Sequence, residues 1–232
     1  MEKFRRNKGF NFINSLFYFL DKFLIIDNLK KLKFYLNLEF IFKRLAHEKS
    51  YLIYKNRHPG TQNTVNNLKK IIKKNYNVLD VGCGNGYIAY SLSNYVSQIT
   101  CIDYNAKAIQ QAKKNFSKKN IKYILGDILK IKKPSKKINL IICSHIIEHL
   151  NNPFIFLKKI KSFKSKIYIE VPDFENDNLN QVKKEIKFNL RYTDEDHVYE
   201  FSRKSLIKML RKNNFSILNE NYQNGVISLV IK

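Results

Sequence analysis

The 232-residue chain is short of acids, glycine, proline and cysteine, and each shortage narrows what it can be. Asp and Glu number 19 against 43 Lys and Arg, which leaves a formal net charge of +24. Such a surplus has two readings. One is an electrostatic surface for nucleic acid, anionic lipid or an anionic substrate. The other is a lysine-rich composition written wherever the fold tolerates it. Lysine dominates arginine and is scattered, in strings such as Lys69-Lys70, Lys73-Lys74, Lys113-Lys114 and Lys118-Lys119 on the polar faces of predicted helices. The compositional reading is therefore preferred. Seven glycines and four prolines leave little flexible linker. The three cysteines, Cys83, Cys101 and Cys143, form no C-x-x-C pair. That excludes a disulfide framework and a zinc motif, and makes the cytoplasm the expected compartment. No apolar run reaches the roughly 18–20 residues of a spanning helix. The nearest, from Phe10 to Ile26, is interrupted by Asn11, Asn14, Asp21 and Lys22 and predicts amphipathic helices. No small-residue cleavage site of the signal-peptide kind is present.

What is there suffices for a core. Hydrophobic residues make up 44% of the chain, and its length suits one α/β domain with an appendage. Residues 1–60 read as a helical, aromatic-rich extension, with Phe10, Phe12, Leu16, Phe17, Leu20 and then Leu32, Phe34, Tyr35, Leu38 and Phe42 at mixed spacings of three and four. His58-Pro59-Gly60 breaks that region. A helix is predicted from Thr61 to Lys74, and residues 61–232 form the expected main domain. Strands are predicted at 78–81, 99–102, 121–125, 138–143 and 167–171. Helices are predicted at 87–95, 106–116 and 154–163. The alternation predicts a doubly wound, mostly parallel sheet with helices on both faces. Residues 173–191 read as a polar, irregular insertion. A helix from Ser202 to Asn213 follows, then two strands turned by Asn224-Gly225.

The chemistry concentrates at strand ends. Val78-Leu79-Asp80-Val81-Gly82-Cys83-Gly84-Asn85-Gly86 follows a strand and opens a helix. Its glycines let backbone approach a ligand closely, and the helix start beyond adds free N–H groups. The spacing is G-x-G-x-G; a dinucleotide fingerprint needs its third glycine one place later. Asp103 ends the next strand, where a carboxylate can accept hydrogen bonds from ribose hydroxyls. Asp127 ends the third, within reach of an adenine amino group. Three acids at three successive strand ends, Asp80, Asp103 and Asp127, line the crevice where open α/β sheets bind ligands.

Val78 to Gly86, Cys101-Ile102-Asp103-Tyr104-Asn105 and Leu125-Gly126-Asp127-Ile128 resemble the successive cofactor motifs of class I S-adenosylmethionine-dependent methyltransferases. Asn139 to Leu150 is similar to the fourth-strand motif of the small-molecule branch, which often ends in Glu-His-Leu. The resemblance covers residues 60–232. It implies a seven-stranded Rossmann-like sheet with an antiparallel last strand, and S-adenosylmethionine as cofactor. It places Asp80, Gly82, Gly84 and Gly86 at the methionine part, Asp103 at the ribose, and Asp127 and Ile128 at the adenine; Tyr104 and Ser144 are the further candidate cofactor contacts. Val171-Pro172-Asp173-Phe174, Arg191 and His197 to Ser202 resemble a bacterial subgroup that accompanies cell-surface polysaccharide synthesis. Residues 1–55 carry no such likeness.

His145-Ile146-Ile147-Glu148-His149 fits the inverted zinc-protease string H-x-x-E-H. That reading needs a helix and a further downstream ligand, and the string directly follows a buried strand. No metal is therefore expected; a divalent ion orienting substrate oxygens is the lesser reading. Glu148, His149 and His197 are instead the candidate catalytic groups, because an imidazole titrating near neutrality can take a hydroxyl proton during methyl transfer. Each has a structural alternative, Glu148 and His149 as hydrogen-bonders flanking the pocket and His197 as a pin for the insertion. Arg57, His58, His145, Arg191 and Glu200 are the candidate substrate contacts.

The expected function is O-methylation of a small or sugar/glycan-type acceptor, nucleotide- or lipid-linked, in cell-surface polysaccharide synthesis. Peripheral contact of the N-terminal helices with the inner membrane surface and homodimer formation are compatible with it. An RNA methyltransferase is the alternative, but nucleic acid is disfavoured: the fourth strand ends in Cys143-Ser144-His145-Ile146, with neither an Asn/Asp-Pro-Pro-Tyr/Phe string nor Pro-Cys. A non-enzymatic membrane-surface protein with a cofactor fold is the third reading.

Overall fold

The structure is a computed structural model that describes residues 8–132, 134, 136–188 and 194–232, with side chains from Phe12 onward. The chain divides into two compact units, Met1–Lys43 and Arg44–Lys232.

In the first unit, helix α1 (Lys8–Phe23) is followed by α2 (Asn28–Tyr54), which runs on past the unit's end. Asp27 starts α2 by accepting the Lys30 amide at 3.0 Å, the N-cap interaction that a short acidic side chain provides. Asp21, near the end of α1, accepts the Tyr35 hydroxyl at 2.6 Å and pairs with Lys31 at 3.5 Å, which ties the two helices together. Phe12, Phe17, Tyr18, Phe19 and Phe23 of α1 are exposed, and Ile25 in the connection is 99% exposed. Among the described residues no helix is long and apolar enough to cross a membrane.

The second unit is built on a seven-stranded sheet of order β3-β2-β1-β4-β5-β7-β6. Its strands are β1 (Asn77–Val81), β2 (Gln98–Asp103), β3 (Ile121–Leu125), β4 (Leu140–Ser144), β5 (Lys166–Pro172), β6 (Ile217–Gln223) and β7 (Val226–Ile231). The first five are parallel, and β7 lies antiparallel between β5 and β6. This is the expected architecture, antiparallel hairpin included. Asn224 and Gly225 turn that hairpin with φ of 54° and 75°. Positive φ at both central residues is what a type I′ turn needs, and Asn-Gly provides it at little cost.

Alternating strand residues fill a core on each face. Val78, Ile99, Cys101, Leu140 and Ile142 pack against α3 (Pro59–Lys69), α4 (Tyr87–Leu92) and α5 (Ala106–Asn115) through Val65, Leu68, Ala89, Leu92 and Ile109. Leu79, Val81, Ile141, Cys143, Ile167 and Ile169 pack against α6 (Pro153–Lys161) and α8 (Arg203–Lys212) through Phe156, Leu157, Ile160, Leu206 and Leu210. The period of two explains why the central strands read as continuous apolar runs: both faces are covered.

Three local expectations need correction. His58-Pro59-Gly60 starts a helix as well as ending one. The His58 ring accepts the Gly60 amide at 3.2 Å, and Pro59 occupies the first turn, where its missing N–H costs nothing. Helix α3 accordingly runs from Pro59 to Lys69, not from Thr61 to Lys74. Within the stretch read as irregular lies α7 (Asn178–Glu185), capped by Asp177 through the Leu179 amide at 2.9 Å. Its sequence is too polar to show an apolar period, so capping and the docking of Asn180 onto the Phe174 carbonyl at 3.0 Å hold it. The fourth strand begins at Leu140, two residues later than its apolar run, although Ile138 is buried.

Candidate functional site

Parallel strands bring their carboxyl ends to one edge, and the sheet order reverses there between β1 and β4, the position at which α/β sheets open a crevice for ligands. The glycine loop after β1 forms one wall. Gly82, Gly84 and Gly86 all have positive φ, at 64°, 52° and 80°. A Cβ on Gly82 would lie 2.9 Å from Ile146 Cδ1, so the loop after β1 and the loop after β4 touch without space for a methyl. A Cβ on Gly86 would meet the Tyr123 hydroxyl at 2.6 Å and Ala112 at 2.9 Å. Nothing lies within 4 Å of the corresponding point on Gly84, which therefore faces open space. Packing explains two of the glycines, and a ligand-sized opening the third.

Asp103 shapes that opening. One carboxylate oxygen accepts the Gly84 amide at 2.8 Å and the other the Asn105 amide at 2.8 Å. The carboxylate thus fixes the glycine loop and keeps further lone pairs for a ligand. Asp80 is 3% exposed, and its Oδ2 has no hydrogen-bond partner among the described residues. Burial first, then the nearby Asp103 charge, push its pKa up to about 7. An orphaned carboxylate oxygen beneath an open glycine loop is what a cradle for a polar, cationic cofactor would contain. A cavity of about 450 Å³ lies over the loop, lined by Tyr51, Asn56, Thr61, Gly82, Gly84, Asn85 and Tyr87. Gln62 donates to the Tyr87 hydroxyl at 2.9 Å and to the Asn56 carbonyl at 3.1 Å, fastening the cavity's outer wall. The residues present fit the cofactor implied by the motifs.

A second group of side chains comes from the loop after β4 and a segment far downstream. His145 leaves β4 with φ 55°, a sharp turn that starts the 3-10 turn Ile147–His149. The Glu148 carbonyl accepts the amides of Val198 at 2.8 Å and Tyr199 at 3.0 Å, stapling the two segments. This brings together Glu148, His149 and His197, whose donor atoms lie within 4.8 Å of one another. His149 Nδ1 meets the Asp196 carbonyl at 3.2 Å, and His197 Nδ1 meets the Glu200 carboxylate at 3.3 Å. Burial lowers the pKa of His197, but the Glu200 and Glu148 carboxylates outweigh it and raise the net value. His145 behaves likewise: desolvation opposes, and Glu148 at 3.2 Å with Glu170 at 3.6 Å raises its pKa.

The predicted residues thus fall into groups. Asp80, Asp103 and the three glycines come together around the loop after β1. Asp127 stands at the end of β3, where its carboxylate accepts the Leu129 amide at 2.9 Å, and the Ile128 side chain is buried in the core. Tyr104 is 84% exposed beside Asp103. Ser144 donates to Glu170 at 3.0 Å. Glu148, His149, His197, His145 and Glu200 form the second group. His58 stands apart: its nitrogens meet Gly60 N and Ser50 Oγ at 3.2 and 3.0 Å, and its ring stacks on Tyr51 at 3.9 Å. It organises the junction of α2 and α3. Arg57 is exposed next to it, and Arg191 lies outside the described residues.

Glu170 was not legible in the sequence. It is fully buried and accepts the Thr64 hydroxyl at 2.5 Å and the hydroxyls of Ser144 and Tyr168. The available signal was a lone carboxylate within the apolar strand Ile167–Val171, since a buried charge must find partners. Tyr51, Asn56 and Thr61 were missed because their cavity wall carries no motif.

Comparison with known proteins follows the same lines. Residues 72–220 match the model of a family described as a methyltransferase domain. The ubiquinone biosynthesis O-methyltransferase of Coxiella burnetii is 30% identical over 92 residues, which is 39% of this chain and 39% of that protein. The likeness thus spans well under half the length of that curated relative. Two solved structures share the fold. A methyltransferase from Bacillus halodurans superposes with a TM-score of 0.55 at 18% identity, covering 68% of this chain and 70% of that one. Magnesium protoporphyrin IX methyltransferase from Synechocystis PCC 6803, with bound S-adenosylhomocysteine, gives 0.60 at 15% identity, covering 84% and 96%.

Proposed function

The chain belongs to the methyltransferase-domain family as a class I S-adenosylmethionine-dependent enzyme, and from that premise we propose that it methylates an oxygen of a small or sugar-type acceptor in cell-surface polysaccharide synthesis. The observation that carries this reading is the cluster of Glu148, His149 and His197, which adjoins the loop after β4 that touches the glycine loop through Ile146. Residues 61–232 form the methyltransferase domain in this reading, and residues 1–60 its helical extension. S-adenosylmethionine supplies an electrophilic methyl group. The protein's part is to align donor and acceptor and to control the acceptor's proton. Asp103 and Asp127 hold the ribose and adenine, with Tyr104 covering them. The glycine loop and Asp80 face the methionine part. The acceptor hydroxyl is met by Glu148, His149 and His197, and this group governs where its proton goes.

Support for an oxygen acceptor comes from the Coxiella relative, whose name states O-methylation. Support for a sugar-type acceptor comes from the exposed His145 and the half-buried Glu200 beside the cluster, which offer hydrogen-bond partners to several hydroxyls. Arg57 and Arg191 suit the phosphates of a nucleotide- or lipid-linked acceptor. The exposed aromatics of α1 favour a place at the cytoplasmic face of the inner membrane, and the same apolar surface suits a homodimer.

Calorimetric titration with S-adenosylmethionine and, separately, NAD tests the premise. Micromolar binding of the methyl donor and none of NAD is expected. A transfer assay across sugar nucleotides and lipid-linked sugars then tests the acceptor. Transfer to RNA in a salt-sensitive manner, with none to sugars, would replace this reading with the nucleic-acid one.

A further inference from the structure

We propose that Glu148, His149 and His197 hold one divalent transition-metal ion. The absence of a metal expected from the sequence rested on the string His145 to His149 alone, which lacks a downstream ligand. The fold supplies that ligand from another segment: His197 comes against His149 with ring centroids 4.8 Å apart. The donor atoms of the three residues lie within 4.8 Å of one another, so a single central ion with ligand bonds of roughly 2.0–2.2 Å would bind all three once the side chains draw together by a few tenths of an ångström or more.

Three further observations point to an ion. First, Glu148 is 1% exposed, and its Oε2 has no hydrogen-bond partner among the described residues, while Oε1 is engaged by His145 at 3.2 Å. A buried carboxylate with one oriented oxygen and one orphaned oxygen is short of a cation. Second, the His149 tautomer is fixed by its partner. A carbonyl only accepts, so Nδ1 facing the Asp196 carbonyl must carry the proton and Nε2 the lone pair. His197 Nδ1 faces the Glu200 carboxylate and follows the same logic. Histidine ligands to metals are oriented in this way, one nitrogen donating to a carbonyl or carboxylate while the other binds. Third, the backbone is braced at both ends of the cluster, because the Glu148 carbonyl accepts two amides from the 197–200 segment.

Two imidazoles and one carboxylate select the borderline ions Zn²⁺, Mn²⁺, Fe²⁺ and Co²⁺ over Mg²⁺ and Ca²⁺, which take oxygen donors. Three protein ligands leave coordination positions open. Resting on the proposed acceptor site, those positions would take an acceptor with adjacent oxygen donors. The imidazoles would then serve as ligands, not as bases.

The full-length protein is stripped with a chelator, its S-adenosylmethionine affinity is confirmed by calorimetry, and Co²⁺ is titrated while visible absorption is read. One equivalent per chain is expected, with ligand-field bands, no thiolate charge-transfer band, and displacement by Zn²⁺. Glu148→Gln, which keeps the side chain's volume, and His197→Asn should each weaken Co²⁺ binding by at least about tenfold. His47→Ala, on exposed α2, should leave it unchanged. No cobalt spectrum in protein that still binds S-adenosylmethionine overturns the metal site and leaves the methyl-transfer reading standing. So does a spectrum unaltered in Glu148→Gln. A normal cobalt spectrum without methyl transfer to any oxygen acceptor supports the metal site and sinks the proposed acceptor.

Discussion

The proposed cofactor wall and the proposed acceptor wall are built by different means. The first is local: Asp80, the glycines, Asp103 and Asp127 each end a strand or begin the turn after it, and much of their geometry is backbone. Gly84 N–H to Asp103, Asn105 N–H to Asp103 and Leu129 N–H to Asp127 are all side chain to main chain. The second is assembled from the loop after β4 and the 197–200 segment, and its groups are side chains, His145 on Glu148 and His197 on Glu200, with His149 held by the Asp196 carbonyl. A wall made of backbone tolerates little change in shape and binds a fixed ligand. A wall made of side chains can be rewritten one residue at a time, which suits the part that chooses the acceptor.

The sharpest break between the walls should come from His197→Ala. Turnover is expected to fall by roughly 10²–10⁴ while S-adenosylmethionine affinity stays within twofold, since the loss touches only the proposed acceptor cluster. Single-turnover kinetics beside calorimetry would show it, and a matching loss of cofactor affinity would mean that the walls are not separate. Gly82→Ala probes their contact. The added Cβ meets Ile146 at 2.9 Å in a backbone of φ 64°, so both cofactor binding and turnover should drop, by about a hundredfold or more. Adding Ile146→Ala should recover part of the loss, because it relieves the clash but not the backbone strain.

Asp103→Ala should weaken cofactor binding by roughly 10–100-fold, as the hydrogen bonds of a charged group disappear together with the loop's anchor. Acceptor affinity measured with S-adenosylhomocysteine at saturation should be unaltered; if it shifts, the loop's anchor serves both walls. The remaining expected effect is on stability, as a pH dependence. Asp80 has a folded-state pKa of about 7, above the ordinary 3.8. Between those values the folded protein holds a proton that the unfolded chain has lost. The ligand-free protein should therefore lose stability as pH rises from about 4 to 7 and change no further above it, by roughly 2–4 kcal/mol at most. Asp80→Asn should flatten that slope in thermal melts at pH 5 and pH 8. An unchanged slope would place the titration elsewhere.

Much of the fold was legible because its signals are short-range. Val78 to Val81 and Ile99 to Ile102 read as buried strands because both sheet faces are covered, and Asn224-Gly225 read as a hairpin turn because few other pairs accept two positive φ values. Helix α7 was illegible, since a helix held by Asp177 and Asn180 rather than by an apolar stripe has no period to find. On the acceptor wall, Glu148, His149 and His197 could be named as residues but not as neighbours.

Sequence alone determined the strand order's raw material, the glycine turn and the acids at successive strand ends, because each depends on a few consecutive residues and the backbone angles they permit. Tertiary structure decided that His197 meets Glu148 and His149, that Glu170 is shared by Thr64, Ser144 and Tyr168, and that Ile146 closes on Gly82. Those pairings join segments far apart in the chain, and only the packing of helices and loops against a formed sheet holds them within bonding distance.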